Sequence, residues 1–254
     1  MIKFFRRIRQ NLISDGKTGK YLKYAIGEIL LVVIGILIAI QLNNINQNHT
    51  THKKQIKHLE NIKAEMINNL NSIKEVDKLS IEIIDAERNI ITYIDSGVTS
   101  EKDLTEQLRM VTFNDIIIPF ESGAITELIS SGGLKEIKND SIRRILASWD
   151  GINTGLREQE KQLAEIRNDI IAFCNDEGSI RILNSKSVLE KLKIDDTQKT
   201  LSNLPLLDLR PFENTILHHM MLTYHLRTGI LPEINNRIST LIMMIDEELK
   251  ESNN

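Results

Sequence analysis

Three residues of the 254-residue chain, His218, Met221 and His225, have the types and spacing to hold a soft metal ion. At i, i+3 and i+7 they share one helical face, with His219 and Met220 beside them. Two imidazoles and a thioether suit copper better than a hard cation. Against this, no carboxylate or Cys in the local sequence completes the set, and Met at helical spacing more often fills a core. His49 and His52 form a second i, i+3 pair with the same shortage. The expectation is no metal and no cofactor. Cys174, the single cysteine, rules out an internal disulfide and, beside Phe173, is expected to be buried rather than reactive. No G-x-S-x-G, H-E-x-x-H, C-x-x-C or phosphate-binding Gly loop occurs, and the S-x-x-K match at Ser14–Lys17 lacks its companion motifs. No catalytic residue is assigned, and a non-enzymatic protein is expected.

The other notable group is a carboxylate in apolar company. From Ala25 to Leu42 the only polar side chains are Glu28 and Gln41. At about 1.5 Å per residue this stretch spans ~27 Å, enough for the thinner end of a bilayer core of ~30 Å. A transmembrane helix over 24–42 is the expectation, uncleaved because no small-residue cleavage site follows it. An ionised Glu28 at that depth is costly unless paired or snorkelled. Glu28, Gly35 and Ala39 share a face, and Gly35 and Ala39 form a small-x-x-x-small pair. They are candidates for a transmembrane interface; the alternative is a Glu28 neutralised by Lys20 or Lys23 and lipid.

Before the span stand Lys3, Arg6, Arg7, Arg9, Lys17, Lys20 and Lys23 against Asp15, while residues 43–254 carry 25 basic and 33 acidic side chains. The positive-inside rule then places the N-terminus in the cytoplasm and the long C-terminal part outside the inner membrane, in the periplasm or its equivalent. Tyr21 and Tyr24 fit an interfacial aromatic belt. The tail 1–23, with Phe4, Phe5, Ile8 and Leu12 on one face, is either an in-plane helix on anionic lipid or a disordered basic signal, and has no room for an output domain. An acidic C-terminal part gives no basis for nucleic-acid binding. The expected partners are the lipid bilayer and a second copy or another envelope protein.

The elements that must carry these groups are helical. The chain has 41 Ile but 6 Val, 12 Gly and 4 Pro, too little punctuation and too few Val-rich runs for a multistranded sheet. The expected fold is mainly α, a single N-terminal transmembrane helix followed by a long-helix antiparallel bundle. No Gly or Pro separates Ile36 from Ser96, so a stalk helix over 43–95 is expected, with a weak joint at Asn43–His52. Its apolar positions are Leu59, Ile62, Met66, Leu70, Ile73, Val76, Leu79, Ile83, Ile90 and Ile94. Residues 96–254 form the bundle that the stalk completes. Within it, Ser100 and Asp103 suggest a capping box, Ile116–Pro119 a buried connector, 120–130 a helix and Gly132–Gly133 its stop. The seven-residue recurrence of Ile142, Trp149, Leu156, Leu163 and Ile170 predicts one helix over 140–175, in which Gly151 and Gly155 permit close packing. Pro211 suits a helix start, Thr228–Gly229 a reversal and Pro232 a last helix.

The block YAIGEILLVVIGILIAIQLNN, preceded by FFRRIRQNL, resembles the N-terminal signature of a family of uncharacterised bacterial single-pass membrane proteins carrying a domain of unknown function. Its I-G-E-I turn, V-V-I-G-I-L-I-A core and Q-x-N-N exit correspond to Ile26–Ile29, Val32–Ala39 and Gln41–Asn44. AITELISSGGLKEIKNDSIRRIL is similar to the family's second block, although Gly132–Gly133 replaces a single Gly. The resemblance implies an envelope location and a helical ectodomain, with no activity or site residue to carry over. The expected function is a non-enzymatic membrane-anchored scaffold or interaction module. The alternative is a ligand-responsive sensory accessory with a polar pocket between helices, for which Arg143, Arg144 and Trp149 are generic candidates.

Overall fold

The computed structural model describes residues 18–184, 186–195 and 197–252, with the side chains of 18, 20, 21 and 24 excepted. The basic-tail reading of 1–17 and the side chains of Tyr21 and Tyr24 lie outside the described residues. Contacts divide the chain into two units, Met1–Ile56 and Lys57–Asn254. Among the described residues every regular element is a helix.

Helix α1 has the bounds Thr18–Ser96 and so contributes to both units. Asn43–His52 is helical; no Gly or Pro interrupts it, and Thr50 Oγ1 donates to the Asn46 carbonyl at 2.9 Å. In the first unit, Ile29 through Leu42 expose every large apolar side chain, and none of the most apolar 18-residue window is buried. This is the one stretch, among the described residues, long and apolar enough to cross a membrane.

The second unit begins on a strict repeat. Along α1 a seam of buried positions, Leu59, Ile62, Met66, Asn69, Ile73, Val76, Ser80, Ile83, Glu87 and Ile90, alternates steps of three and four, with Ile84 and Ala86 buried beside its far end. The seam therefore runs through Asn69, Ser80 and Glu87, not through Leu70 and Leu79, which are half-buried beside it. Gly97, at a φ of 62°, ends the helix by donating its N–H to the Tyr93 carbonyl. Ser100 then caps α2 (Glu101–Phe113), accepting from Asp103 N at 3.1 Å.

The connector 114–122 is extended and unpaired with any strand. Ile116, Ile118 and Phe120 are buried while Ile117 and Pro119 face out, the alternation of extended backbone. Helix α3 (Gly123–Ser130) starts three residues later than expected. Both following glycines have reasons: Gly132 sits at a φ of 72°, and a Cβ on Gly133 would lie 2.9 Å from Leu128 Cδ1. A short 3₁₀ turn leads to α4 (Asp140–Ala147), capped by Asn139.

The single helix expected over 140–175 is two. Ser148 separates α4 from α5 (Trp149–Asp176): its N–H donates to the Arg144 and Ile145 carbonyls and its Oγ to Ile145 O, a tightened turn. The repeat crosses this break intact, with Ile142, Leu146, Trp149, Leu156, Glu160, Leu163, Ile170 and Cys174 all buried. Gly151 and Gly155 do not mediate close packing, since an added Cβ meets nothing within 4 Å at either. Close approach falls instead at Gly178, where a Cβ would lie 2.5 Å from Asn203 Oδ1 and 3.1 Å from the Cys174 carbonyl.

After the short helices α6 (Ile180–Leu183) and α7 (Lys186–Lys191) and a 3₁₀ turn, α8 (Arg210–His225) starts at Pro211 as expected. Thr228–Gly229 is not a reversal. The backbone stays helical through a π turn, Leu226–Ile230, into α9 (Leu231–Ser252). The wide turn absorbs one extra residue: Phe212, Ile216, His219, Thr223 and Leu226 are buried before it, and Leu231, Ile234, Ile238, Leu241 and Ile245 after it. It also lies where Pro232 lacks the N–H for a regular helical bond.

Candidate functional site

The seam positions that are not apolar lead to the centre of the bundle. Glu87 on α1 and His219 on α8 are 0% and 2% exposed, and Oε1 of Glu87 lies 2.5 Å from Nδ1 of His219. Burial pushes the Glu87 carboxyl above its ordinary range, further than the imidazole pulls it down by hydrogen bond and charge. Its second oxygen, Oε2, and the hydroxyl of the buried Thr223 have no protein partner.

Elsewhere along the bundle, side chains from α1 and α5 satisfy the backbone of the 114–122 connector, which has no ladder of its own. Asn69 donates to the Glu121 carbonyl at 2.8 Å and accepts from Glu121 N at 2.7 Å. Glu65 accepts from Ala124 N at 2.7 Å, and burial raises its carboxyl despite that bond. From the α5 side, Glu160 accepts from Ile118 N at 2.7 Å and pairs with Arg157 at 2.6 Å, while Arg157 donates to Ile118 O. Arg167 pairs with Asp115 at 2.6 Å. Asn114, Asp115, Glu160, Arg167 and His219 converge on a cavity of about 40 Å³. That space suits a water or two and excludes an organic ligand.

The residues singled out from sequence lie elsewhere. His218, Met221 and His225 share a face of α8 as expected, but it is the outward face: all three are exposed, Met221 by 67%. Two residues seven apart on a helix are ~10.5 Å apart along its axis, too far for one ion, and the His225 ring lies against Gly229, one turn further on. Among the described residues no group of three or more His, Cys, Asp or Glu could hold a metal. Gly35 and Ala39 are exposed and Glu28 is half-buried; a Cβ added at Gly35 meets nothing within 4 Å. Cys174 is buried, and burial raises its thiol to about 11. Arg143, Arg144 and Trp149 do not line a pocket together: Arg143 bonds the Ile137 carbonyl, Arg144 the Ser141 hydroxyl, and Trp149 stacks on Phe120 at 5.7 Å.

The strip from α8 through the π turn to the start of α9, between the exposed charges of Arg210 and Glu233, has an unusual composition. From Pro211 to Pro232 the exposed residues are Pro211, Asn214, His218, Met221, Tyr224, His225, Thr228, Gly229 and Pro232, none carrying a formal charge at neutral pH. Glu213 and Arg227 are half-buried off this face, the latter 3.0 Å from Asp77. By contrast, α5 presents Asp150, Glu158, Lys161, Glu165 and Asp169 to solvent. Met and Tyr are residue types enriched, and charged ones depleted, in protein interfaces generally.

Glu87 and His219 each break an apolar stripe, between Ile83 and Ile90 and between Ile216 and Thr223. Those two gaps are visible in the sequence; that they face each other is not.

No curated protein and no solved structure matches the chain. Residues 28–193 match a family described as a family of unknown function, DUF6090, a segment from Glu28 in the apolar stretch to just past α7. Since that match covers well over half of the chain, the protein belongs to the DUF6090 family of unknown function.

Proposed function

We propose that this protein is a non-enzymatic, membrane-anchored interaction module of the cell envelope. The stretch 24–42 crosses the inner membrane once, the basic N-terminus stays in the cytoplasm, and the bundle stands outside. The uncovered apolar circumference from Ile29 to Leu42 and the basic residues before it support the anchor and its direction. The observation that carries the docking role is the strip from Pro211 to Pro232, in which no exposed residue carries a formal charge, on an otherwise acidic domain. The test is affinity capture of the full chain from native membranes beside a Met221→Glu, Tyr224→Glu variant. A protein partner, whether another copy or a different envelope protein, is captured with the wild type and lost from the variant; equal capture by both, or none by either, refutes the reading.

A second reading, a ligand-responsive accessory signalling through a membrane partner, is favoured by one feature. A cleft of about 530 Å³ is lined by Leu70, Asn71, Lys74, Asp77, Arg227 and Asn235 among others, with both charges and amides converging on it. Under that reading a small zwitterionic or polar compound raises the melting temperature of the full chain, and a Lys74→Ala, Arg227→Ala variant loses the shift.

A further inference from the structure

We propose that the cleft between α1 and the π turn binds a small monoanion, a single carboxylate or comparable oxyanion carried on an apolar body. The inference rests on the reading of this cleft as a ligand site and names the class of ligand.

The π turn makes the cleft's second wall. In an unbroken α-helix two residues eight apart, such as Arg227 and Asn235, stand about 80° apart around the axis. The one extra residue absorbed between Leu226 and Ile230 reduces that angle to about 20° and brings both onto one face. Both then line the same cleft, with the buried Leu231 between them. Across it, Leu70, Ile73, Lys74 and Asp77 share a face of α1 at i, i+3, i+4 and i+7. Turns of this kind interrupt helices mainly where function requires the altered phase. Here the altered phase sets Arg227 and Asn235 opposite Lys74 and Asp77.

Charge then selects the ligand. The charged side chains of the lining are Lys74, Asp77 and Arg227. Asp77 is already engaged by Arg227 at 3.0 Å, so it is not available to hold an ammonium group. Lys74 is exposed and forms no ion pair with another described residue. The cleft therefore carries one uncompensated positive charge on a domain, residues 57–254, that holds 33 acidic and 23 basic side chains. An oxyanion fits that charge, and the Asn71 and Asn235 amides supply further donors beside it. The remaining surface is apolar, with Ile73 and Leu231 at 5% and 2% exposure, which calls for a ligand body rather than a bare ion. At about 530 Å³ the space lies within the range of small-molecule sites.

The experiment uses the full-length chain in nanodiscs of zwitterionic lipid and four probes: benzoate, the uncharged benzamide of the same shape, benzylammonium, and acetate, which has the charge without the body. Saturation-transfer NMR reads their binding against empty nanodiscs. The expected result is that benzoate binds about fivefold more tightly than benzamide or benzylammonium, as one partly exposed ion pair allows, and that acetate gives no signal. Lys74→Met should abolish the preference without shifting the thermal melt, because Lys74 is exposed. Asn235→Trp, which fills the cleft from an exposed position, should abolish binding altogether. A benzoate preference that survives Lys74→Met overturns the proposal, since the anion then binds elsewhere. Equal binding of benzoate and benzamide, both lost in Asn235→Trp, overturns the anion and leaves the cleft as a ligand site. Binding unchanged by Asn235→Trp, or no binding of any probe up to about 10 mM, removes both.

Discussion

The two ends of α1 use similar residues for opposite purposes. Around Ile29–Leu42 the apolar side chains point in every direction and none is covered. From Leu59 to Ile90 they concentrate on one buried seam of alternating threes and fours, with Ile67 and Ile81 the large apolar side chains left exposed among polar residues on the other faces. Hydrophobic content differs about twofold, 12 of 14 residues against 14 of 32, and its distribution around the helix differs as well, all round in the first stretch and concentrated on one side in the second. The second stretch also admits Asn69, Ser80 and Glu87 to its buried seam, where each finds a specific partner.

The same substitution in each stretch breaks this contrast most sharply. Leu59→Lys buries an unpaired ammonium and should cost the bundle about 4 kcal/mol or more, seen as loss of cooperative urea unfolding. Leu37→Lys should instead cost about 3 kcal/mol of membrane insertion, read by fractionation, and leave the bundle's unfolding unchanged.

Next in size is the buried pair. His219→Ala leaves Glu87 without its partner and should destabilise by about 3 kcal/mol, whereas Glu87→Gln keeps a hydrogen bond and sheds the buried charge, with little or no loss at pH 7. The sign with pH follows from the raised Glu87 carboxyl. A carboxyl raised on folding favours the folded state when protonated, so its contribution is full below the ordinary carboxylate range and is lost as pH rises through the folded value. Urea midpoints of wild type and Glu87→Gln should therefore converge at low pH and separate, to the variant's advantage, as pH rises.

Gly178→Ala should cost roughly 1–3 kcal/mol, because its Cβ meets the Asn203 amide and the Cys174 carbonyl. Met221→Ser should move stability by less than about 0.5 kcal/mol, since the side chain is exposed; thermal melts of both variants check this.

Much of this architecture was legible in the sequence because helical periodicity is a local signal. The end of α1 at Gly97, the Ser100 cap, the extended connector, the Gly132–Gly133 stop and the start of α8 at Pro211 each follow from one or two residues with strong backbone preferences. The failures are physical too. The π turn looked like a reversal because Thr228–Gly229 followed by Pro232 is a common chain-turning combination, while the extra residue that re-phases the seam leaves no local mark. The α4–α5 break hid because the repeat continues through Ser148. Asn69, Ser80 and Glu87 escaped the seam because their burial depends on partners up to 132 residues away. The α8 histidines were read for coordination, but it is their orientation toward solvent, set by His219 and Thr223 facing the core, that gives the face its character.

The central claim is that the apolar stretch is an anchor with the bundle on the outer side. Leu192→Cys, exposed on the bundle, should react with a membrane-impermeant maleimide in right-side-out vesicles and be protected in inverted ones until detergent is added. Labelling only in inverted vesicles, or full release of the chain from membranes by alkaline carbonate, would contradict the account.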